Sequence, residues 1–265
     1  MEKIQKKRLD NLLIEYNLAE NKSRAQRLIM AGKVIVDDKI ITKPGHFISQ
    51  TATIKIKQGV QFVSRGGEKL EGAIKEFQLD IKDKICADIG ASTGGFTDCL
   101  LQRGAKKVYA IDVGYGLLDS RLRNDSRVIV MEKINVRHLT KLPESPDIIT
   151  IDLSFISLRL ILPLIKSWFN KNSGDLIILI KPQFEAGRIE ASRGKGIIHD
   201  PLVHQRILRE ILYFAEKENY GLRSLMPSPI IGKKGNQEFL AFLEFPKKIS
   251  KSPEILVNEI FQNIS

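Results

Sequence analysis

Short runs of unbroken apolar residues recur along most of the chain, and a polar or glycine-rich turn follows each of them. Such runs are typical of strands buried on both faces of a parallel sheet. Between them lie segments with apolar residues at helical spacing, among them 201–219 with Pro201 near its start. Strands that alternate with helices predict a doubly wound α/β domain. The predicted strands are 83–89, 107–112, 128–131, 146–152, 174–180, 222–228 and 239–245.

The first 60 residues have a different pattern. Apolar residues at helical spacing predict two helices within 3–31, the second capped by Asn21 or Ser23 and ended by Gly32. A tight hairpin at 33–41 and a strand at 51–57, whose outer face carries lysines, follow. We therefore expect a small α+β domain before the α/β domain.

A glycine-rich turn lies within residues 87–98, between a predicted strand and a helix. Glycine lets the backbone approach a ligand closely, and a new helix directs its free N–H groups toward it. The next strand ends in Asp112, about 20 residues beyond the turn, where a nucleotide ribose hydroxyl is held in such folds. The pattern predicts a nucleoside-cofactor site, although a turn needed only for packing is the plain alternative.

The spacing of the glycines narrows the choice of cofactor. The turn is Gly90-x-x-x-Gly94-Gly95, which differs from the Gly-x-Gly-x-x-Gly pattern of nicotinamide cofactors. A triphosphate loop needs Lys and then Ser or Thr after its last glycine, and Phe96-Thr97 stands there instead. A turn without phosphate-binding residues suits S-adenosylmethionine, which has a ribose and an amino acid but no phosphate.

Charge points to a polyanionic partner. The 265-residue chain has a formal net charge of +11 and a pI of about 9.6. Residues 1–60 hold 12 Lys and Arg against 6 Asp and Glu, so +6 of this charge lies in under a quarter of the chain. The excess favours an RNA-binding N-terminal domain.

Other functional classes find little support in the sequence. The two cysteines, Cys86 and Cys99, are interpreted as buried hydrophobes, and no metal-ligand spacing is present, so no metal is expected. The N-terminus lacks the apolar core of a signal peptide, and no apolar run approaches the ~18 residues of a membrane span. We expect a soluble, cytoplasmic protein.

Two charged residues stand where the reactive end of a cofactor would lie. Asp152 and Lys181 follow central strands, and both strand ends meet at the edge of the sheet that binds ligands. The pair can tune one another electrostatically, or it is a purely structural ion pair. Residues 152–155 do not match the Asn/Asp-Pro-Pro-aromatic turn that is common in enzymes that methylate exocyclic amines. Neither cysteine is placed to act as the nucleophile that carbon-5 methylation of pyrimidines needs. A lysine and a carboxylate suit the deprotonation of a sugar hydroxyl.

The N-terminal segment resembles the small RNA-binding module of a ribosomal protein, which also occurs in pseudouridine synthases and tyrosyl-tRNA synthetases. The resemblance rests on Arg8-Leu-Asp-x-Leu-Leu and Ser23-Arg-Ala-x-x-Leu-Ile-x-x-Gly-x-Val-x-Val-Asp. It implies that this segment contacts RNA phosphates and recognises the shape of the RNA. For any single lysine, the alternative is that it lies on a solvated helix face and does not bind RNA. The residues expected to bind RNA, with Arg65 of the next domain added, are Lys6, Lys7, Arg8, Lys22, Arg24, Arg27, Lys33 and Arg65.

Five further motifs resemble the TlyA family, which pairs such a module with an FtsJ-like, Rossmann-like methyltransferase domain. They are Asp88-Ile-Gly-Ala-Ser-Thr-Gly-Gly-Phe-Thr-Asp, Ser64-Arg-Gly-Gly-x-Lys-Leu, Asp152-Leu-Ser-Phe-Ile-Ser, Lys181-Pro-Gln-Phe-Glu and Gly235-Asn-x-Glu-Phe. The resemblance implies S-adenosylmethionine-dependent methylation of cytidine 2′-hydroxyls in ribosomal RNA.

The resemblance also implies the roles of individual residues. The catalytic set carries over onto Lys69, Asp152, Lys181 and Glu238, with Lys181 acting on the 2′-hydroxyl. Without the resemblance, the sequence predicts that Lys69 lies at the surface. The residues expected to line the cofactor are Asp88, Gly90, Ser92, Gly94, Gly95, Asp112, Asn135 and Val136.

The predicted boundaries are a domain at 1–58, a linker at 59–64, the methyltransferase domain at 65–247 and a tail at 248–265, which has apolar residues at helical spacing. The short start favours large-subunit RNA as the substrate, and a monomer is expected. Two other functions stay open. One is a non-catalytic RNA-binding or ribosome assembly factor, and the other is a membrane-active haemolysin, for which the tail is the candidate segment.

Overall fold

The computed structural model describes residues 6–56, 61–169, 173–187, 190, 194 and 196–262. The chain divides into two compact units, residues 1–61 and 62–265. The linker predicted at 59–64 lies partly outside the described residues, and the sequence-based boundaries stay predictions.

The described residues of the first unit form two short helices and five short strands. The helices are α1 (Leu9–Glu15) and α2 (Lys22–Met30). The strands are β1 (Lys6–Arg8), β2 (Val34–Val36), β3 (Lys39–Ile40), β4 (Phe47–Ser49) and β5 (Ile54–Ile56). β1 pairs with β4, and β3, β2 and β5 form a second sheet in that order. The side chain of Asn21 caps α2 by accepting the Arg24 N–H at 2.9 Å, as one of the two predicted caps.

The predicted hairpin is present in this unit. Val36 pairs with Lys39, so Asp37 and Asp38 form a two-residue turn with φ of +45° and +62°. Positive φ at both positions is the geometry that joins two twisted strands most tightly. The apolar faces of the helices and strands meet in one core that includes Leu9, Leu12, Leu13, Ile29 and Val34.

The second unit has a seven-stranded sheet. Its strands are β6 (Ile85–Ile89), β7 (Lys107–Ile111), β8 (Val128–Met131), β9 (Ile148–Ile151), β10 (Gly174–Ile180), β11 (Gly221–Pro227) and β12 (Phe239–Phe245). The order across the sheet is β11-β12-β10-β9-β6-β7-β8. Every pair from β10 to β8 is parallel, whereas β12 runs antiparallel to both of its neighbours. The predicted doubly wound α/β fold is confirmed.

Side chains of the central strands alternate between two apolar layers. In β9 and β10, for example, Ile149 and Ile178 belong to one layer, and Ile148 and Ile177 belong to the other. Helices cover both faces of the sheet. They are α3 (Gly66–Glu76), α4 (Gly95–Gln102), α5 (Ser120–Arg123), α6 (Leu162–Ile165), α7 (Pro182–Glu185), α8 (Pro201–Lys217) and α9 (Pro253–Gln262).

The chain reverses its direction of travel across the sheet at β6. From β6 it moves outward to β7 and β8, and it then returns to β9 on the other side of β6. In open α/β sheets the crevice at such a switch point, at the carboxyl ends of the strands, is where ligands bind. The loops that follow β6 and β9 are therefore the first place to look for a site.

The apolar segment that leads to Phe169 is an interrupted helix. It forms two single 3-10 turns on either side of the four-residue α6. Pro163 lies at the start of α6 and has no N–H to donate to the preceding turn. The segment still buries its apolar residues against the sheet.

Candidate active site

A cavity of about 610 Å³ opens in the second unit at the carboxyl ends of β6, β9 and β10. Loops from the strand ends, the start of α3 and the segment before β12 form its walls. It is lined by Ser64, Arg65, Gly66, Lys69, Gly90, Ala91, Ser92, Thr93, Gly95, Phe96, Asp152, Ser154, Phe155, Lys181, Gln183, Phe184, Gly196, Lys234, Asn236 and Glu238. All four residues of the predicted catalytic set lie on this surface.

The glycine-rich turn forms one wall of the cavity. Gly90 has φ of +87°, and its N–H donates to the Ile111 carbonyl at 2.8 Å. A Cβ atom at this position would lie 2.5 Å from the Asp152 carbonyl oxygen. Gly94 has φ of +94°, and a Cβ atom there would collide with Leu122. Glycine is required at both positions because the turn is left-handed and closely packed.

Asp112 joins two turns at the strand ends. Its Oδ2 accepts the Ser92 N–H at 2.7 Å, and its Oδ1 accepts the Gly114 N–H at 2.7 Å. A carboxylate oxygen has two lone pairs, so each oxygen can accept one more hydrogen bond. Asp112 can thus hold a ribose hydroxyl while it fixes the glycine-rich turn.

Several predicted cofactor residues do not line the cavity, namely Asp88, Gly94, Asp112, Asn135 and Val136. Asp88 is fully buried in β6 and accepts hydrogen bonds from the hydroxyls of Thr97 at 2.6 Å and Thr150 at 3.3 Å. Burial raises the pKa of its carboxyl to about 7, although the bond from Thr97 opposes this shift. Asp88 ties the strand end to α4 beneath the turn.

Lys181 and Asp152 form the centre of the cavity. Lys181 Nζ lies 2.5 Å from Asp152 Oδ1 and donates to the Ser154 hydroxyl at 3.1 Å. The ammonium group of Lys181 thus holds the buried Oδ1 of Asp152. The Asp152 side chain is 21% exposed, so a ligand hydroxyl can donate to its other carboxylate oxygen, Oδ2.

A second buried ion pair lies in the same cavity. Lys69, on the first turns of α3, contacts the carboxylate of Glu238, and the two residues are 8% and 3% exposed. The prediction of a surface position for Lys69 alone was therefore wrong, because α3 packs over the end of the sheet. Gln183 Nε2 lies 3.5 Å from Glu238 Oε1. Within the described part of the chain, the buried Oε1 of Gln183 lacks a hydrogen-bond partner.

Phe155 is a candidate site residue that the sequence analysis quoted in a motif but did not assign. It is 89% exposed, lines the cavity and has φ of +65°. Its ring centroid lies 4.7 Å from that of Phe184. The positive φ and the position beside the cavity, more than the exposure alone, make Phe155 a candidate for ligand contact. Its position three residues after Asp152 was the available signal.

The cysteines take no part in this site. Cys86 and Cys99 are both fully buried and lie outside the cavity lining. Burial raises the pKa of the Cys86 thiol to about 12 and also raises that of Cys99. Neither thiol can act as a nucleophile at neutral pH. Among the described residues, no group of His, Cys, Asp and Glu side chains could hold a metal ion.

Basic residues cover part of the surface of the first unit. The side chains of Lys6, Lys22, Arg24, Arg27 and Lys33 are exposed. Lys7 and Arg8 are half-buried, and they pair with Glu15 at 3.0 Å and with Asp10 at 2.7 Å. The eighth predicted RNA-binding residue, Arg65, is exposed in the second unit and donates to the Ile231 carbonyl.

No helix within the described residues is long and apolar enough to cross a membrane.

Two family models match the chain. Residues 62–245 match the FtsJ-like methyltransferase family, and residues 7–54 match the S4 domain. The first match covers more than half of the chain and coincides with the sheet that carries the cavity. The second coincides with the helices and hairpin of the first unit.

Named relatives are similar over nearly the whole chain. The 16S/23S rRNA (cytidine-2′-O)-methyltransferase TlyA of Mycobacterium tuberculosis is 38% identical over 97% of this chain and 97% of its own length. Hemolysin A of Brachyspira hyodysenteriae is 45% identical over 88% of this chain and 98% of its own. The 23S rRNA (cytidine-2′-O)-methyltransferase TlyA of Campylobacter jejuni is 36% identical over 68% and 70% of the two chains.

A solved structure of a protein from Streptococcus thermophilus has the same fold. It is 39% identical, superposes with a TM-score of 0.72 and covers 99% of this chain and 98% of its own. Together with the FtsJ-like match and the S4 match, these similarities confirm the resemblance that the sequence motifs indicated. The chain belongs to the FtsJ-like methyltransferase family and, within it, to the TlyA family with its N-terminal S4 domain.

Proposed function

We propose that this chain is an S-adenosylmethionine-dependent methyltransferase that modifies the 2′-hydroxyl of cytidine in ribosomal RNA. The observation that carries the proposal is the Lys181–Asp152 pair, which presents an ammonium group and a carboxylate in one cavity beside the glycine-rich turn. A hydroxyl can donate to the Asp152 carboxylate while its own oxygen faces the ammonium group.

The glycine-rich wall of the cavity fits S-adenosylmethionine. Gly90, Ser92 and Gly95 would lie against it, and Asp112 would accept a hydrogen bond from its ribose. Asn135 and Val136, which begin a 3-10 turn after β8, would border the adenine. The cofactor supplies an electrophilic methyl group, whereas the donor set lacks the lysine that a triphosphate requires.

Each residue of the proposed catalytic set has a separate role toward the target ribose. The Asp152 carboxylate accepts the hydrogen bond of the 2′-hydroxyl and takes up its proton as the 2′-oxygen becomes nucleophilic. The Lys181 ammonium, on a residue that is 8% exposed, stabilises the negative charge that develops on that oxygen. Ser154 and the Phe184 ring, 5.8 Å from Nζ, fix the direction of the lysine side chain. Lys69, held by Glu238, orients the ribose from the opposite wall.

Phe155 would hold the base of the target nucleotide. An exposed aromatic ring beside a catalytic centre can stack on a base that has been turned out of its helix, which is the usual way that proteins recognise single nucleotides in RNA. Stacking on one base is worth about 1–3 kcal/mol.

The RNA substrate follows from the first unit and from the relatives. The exposed cations on its helices and hairpin would bind RNA phosphates. Both relatives named TlyA above act on 23S RNA by name, and one of them also acts on 16S RNA. Large-subunit RNA is therefore the proposed substrate.

A membrane-active role has little structural support, despite the relative named Hemolysin A. The candidate segment for such a role was the tail, which forms α9. The apolar side chains Leu256, Val257 and Ile260 of this helix are buried in the core of the second unit. They are not available to insert into a lipid surface unless the unit unfolds.

The test is labelled-methyl transfer from S-adenosylmethionine to unmethylated large and small ribosomal subunits, with the modified nucleotide mapped. We expect label at a cytidine 2′-hydroxyl of the large subunit. Label on the small subunit as well would extend the substrate to both RNAs. Cofactor binding without transfer to either subunit would reject ribosomal RNA as the substrate, and a chain that binds RNA but no cofactor would be a non-catalytic assembly factor.

A further inference from the structure

The charges that line the cavity do not balance. Its described lining contains four cations and two anions, namely Arg65, Lys69, Lys181 and Lys234 against Asp152 and Glu238. Lys181 is paired with Asp152, and Lys69 is paired with Glu238. Two positive charges are left, and both belong to exposed residues at the edge of the cavity. Neither Arg65 nor Lys234 forms an ion pair with another described residue.

The two unpaired cations are linked to the same loop. The Arg65 guanidinium donates to the carbonyl of Ile231, three residues before Lys234. An anion bound beside this loop would offset both charges. A bound S-adenosylmethionine would not supply it, because its sulfonium and amino groups outnumber its carboxylate.

The loop that carries Lys234 is rigidly built. Gly232 N–H donates to the Asn236 carbonyl at 2.9 Å, and Lys234 between them has φ of +62°. The side-chain amide of Asn236, which is 3% exposed, accepts from Ile198 N–H at 3.1 Å and donates to the Gly196 carbonyl at 2.9 Å. A non-glycine residue in the left-handed region costs about 1–3 kcal/mol and is found at ligand clamps.

We infer that Arg65 and Lys234 form a phosphate clamp that binds the two backbone phosphates on either side of the target ribose. This inference rests on the proposed function. A nucleotide within an RNA strand brings one negative charge on each side of its ribose, which equals the excess of two positive charges on the cavity edge. The clamp would fix the strand so that only the ribose between the two phosphates reaches Lys181.

The clamp makes a specific electrostatic prediction. Each phosphate contact on a single strand contributes about 0.7 to the slope of log affinity against log salt concentration. We would measure kcat/KM for methylation of ribosomal subunits at several potassium chloride concentrations. Lys234→Gln and Arg65→Gln should each lower the slope by about 0.7, and the double variant should lower it by about 1.4.

Matched variants separate the clamp from a general effect of charge. Lys234→Arg keeps the charge and should keep the slope. Lys82→Gln removes an exposed lysine beyond the opposite, amino-terminal end of β6 and should leave the slope unchanged. Calorimetric titration with S-adenosylmethionine should give the same affinity for all variants, which shows that the cavity is folded.

The outcomes distinguish the two proposals. If the parent chain transfers methyl groups to RNA but the slope of the double variant is unchanged, the clamp is rejected and the function stands. A loss of cofactor affinity with an unchanged slope would assign Lys234 or Arg65 to the cofactor and also reject the clamp. If the parent chain methylates no ribosomal RNA, the proposed function fails and the clamp fails with it.

Discussion

Gly90 packs so closely against Asp152 that a Cβ atom at position 90 would lie 2.5 Å from the Asp152 carbonyl oxygen. The glycine-rich turn after β6 and the strand end that carries the Asp152 carboxylate are therefore in direct contact across the switch point of the sheet. A change in one must move the other.

Gly90→Ala should abolish both cofactor binding and methyl transfer, because the added methyl group displaces Asp152 and the turn. Gly104→Ala is a matched control. Gly104 has the same φ of +87°, but its nearest neighbour to an added Cβ atom is 3.6 Å away, at Lys82. Both variants should lose about 1–2 kcal/mol from backbone strain. Calorimetric titration with the cofactor should show binding only for Gly104→Ala, and equal binding by the two variants would contradict the contact.

Lys181→Ala should lower kcat by at least about 10²-fold, which is the usual loss when one group that stabilises a developing negative charge is removed. The affinity for RNA should change little, because the cations on the first unit are untouched. Lys166→Ala removes a lysine that pairs with Glu218 away from the cavity and serves as the control. Single-turnover methylation together with RNA binding gives the two quantities. Normal kcat in Lys181→Ala would remove the lysine from the mechanism.

The Lys69–Glu238 pair should show opposite patterns in stability and activity. Lys69→Met or Glu238→Leu alone leaves one buried charge without a partner, which costs about 3–5 kcal/mol. The double variant removes both charges and should recover much of the free energy of unfolding. All three variants should lack activity, because Lys69→Met removes the proposed orienting ammonium and Glu238→Leu removes the carboxylate that holds it. A double variant with normal methylation would show that the pair is structural only.

Asp88 should make stability depend on pH. The folded pKa of about 7 lies above the value of about 3.9 for an unfolded chain, so the folded protein holds the proton more tightly. Stability should therefore fall as the pH rises from about 4 to about 7 and should then level off. Asp88→Asn should flatten this part of the profile of melting temperature against pH, whereas Glu76→Gln, at an exposed position on α3, should not. Parallel profiles for Asp88→Asn and the parent would mean that Asp88 is ionised throughout.

The exposed cations of the first unit should set the affinity for RNA. Replacing Arg24, Arg27 and Lys33 by Gln should lower the salt slope of RNA binding by about 2 and leave cofactor affinity unchanged. A control with the same change in charge replaces Lys82, Lys106 and Lys251, which are exposed in the second unit. Fluorescence anisotropy with a ribosomal RNA fragment measures the salt slope of RNA binding for both triple variants. Equal slopes in the two triple variants would remove the S4 domain from RNA recognition.

The sequence predicted the large sheet well because its central strands are buried on both faces. Apolar runs such as 148–151, interrupted only by Thr150, and 176–180 have no helical period, and the turns that end them are rich in glycine and charge. The glycine-rich turn and the residues at the strand ends could be placed at one edge for the same reason. Parallel strands must present their carboxyl ends together.

Features that depend on distant partners were harder to predict. Lys6–Arg8 was assigned to the first helix but is β1, whose partner β4 lies about 40 residues further on and has no strong strand pattern of its own. The burial of Lys69 and the exposure of Phe155 depend on how α3 and the loop after β9 lie over the strand ends. Local patterns contain no information about either contact.

The position of β12 affects when the enzyme can become active during synthesis. β12 inserts between β10 and β11, and Glu238 directly precedes it. Until the ribosome has released these late residues, β11 has no partner in the sheet and Lys69 has no counter-ion. A nascent chain can thus fold its S4 domain, and can contact the RNA of the ribosome that makes it, before it is able to methylate anything.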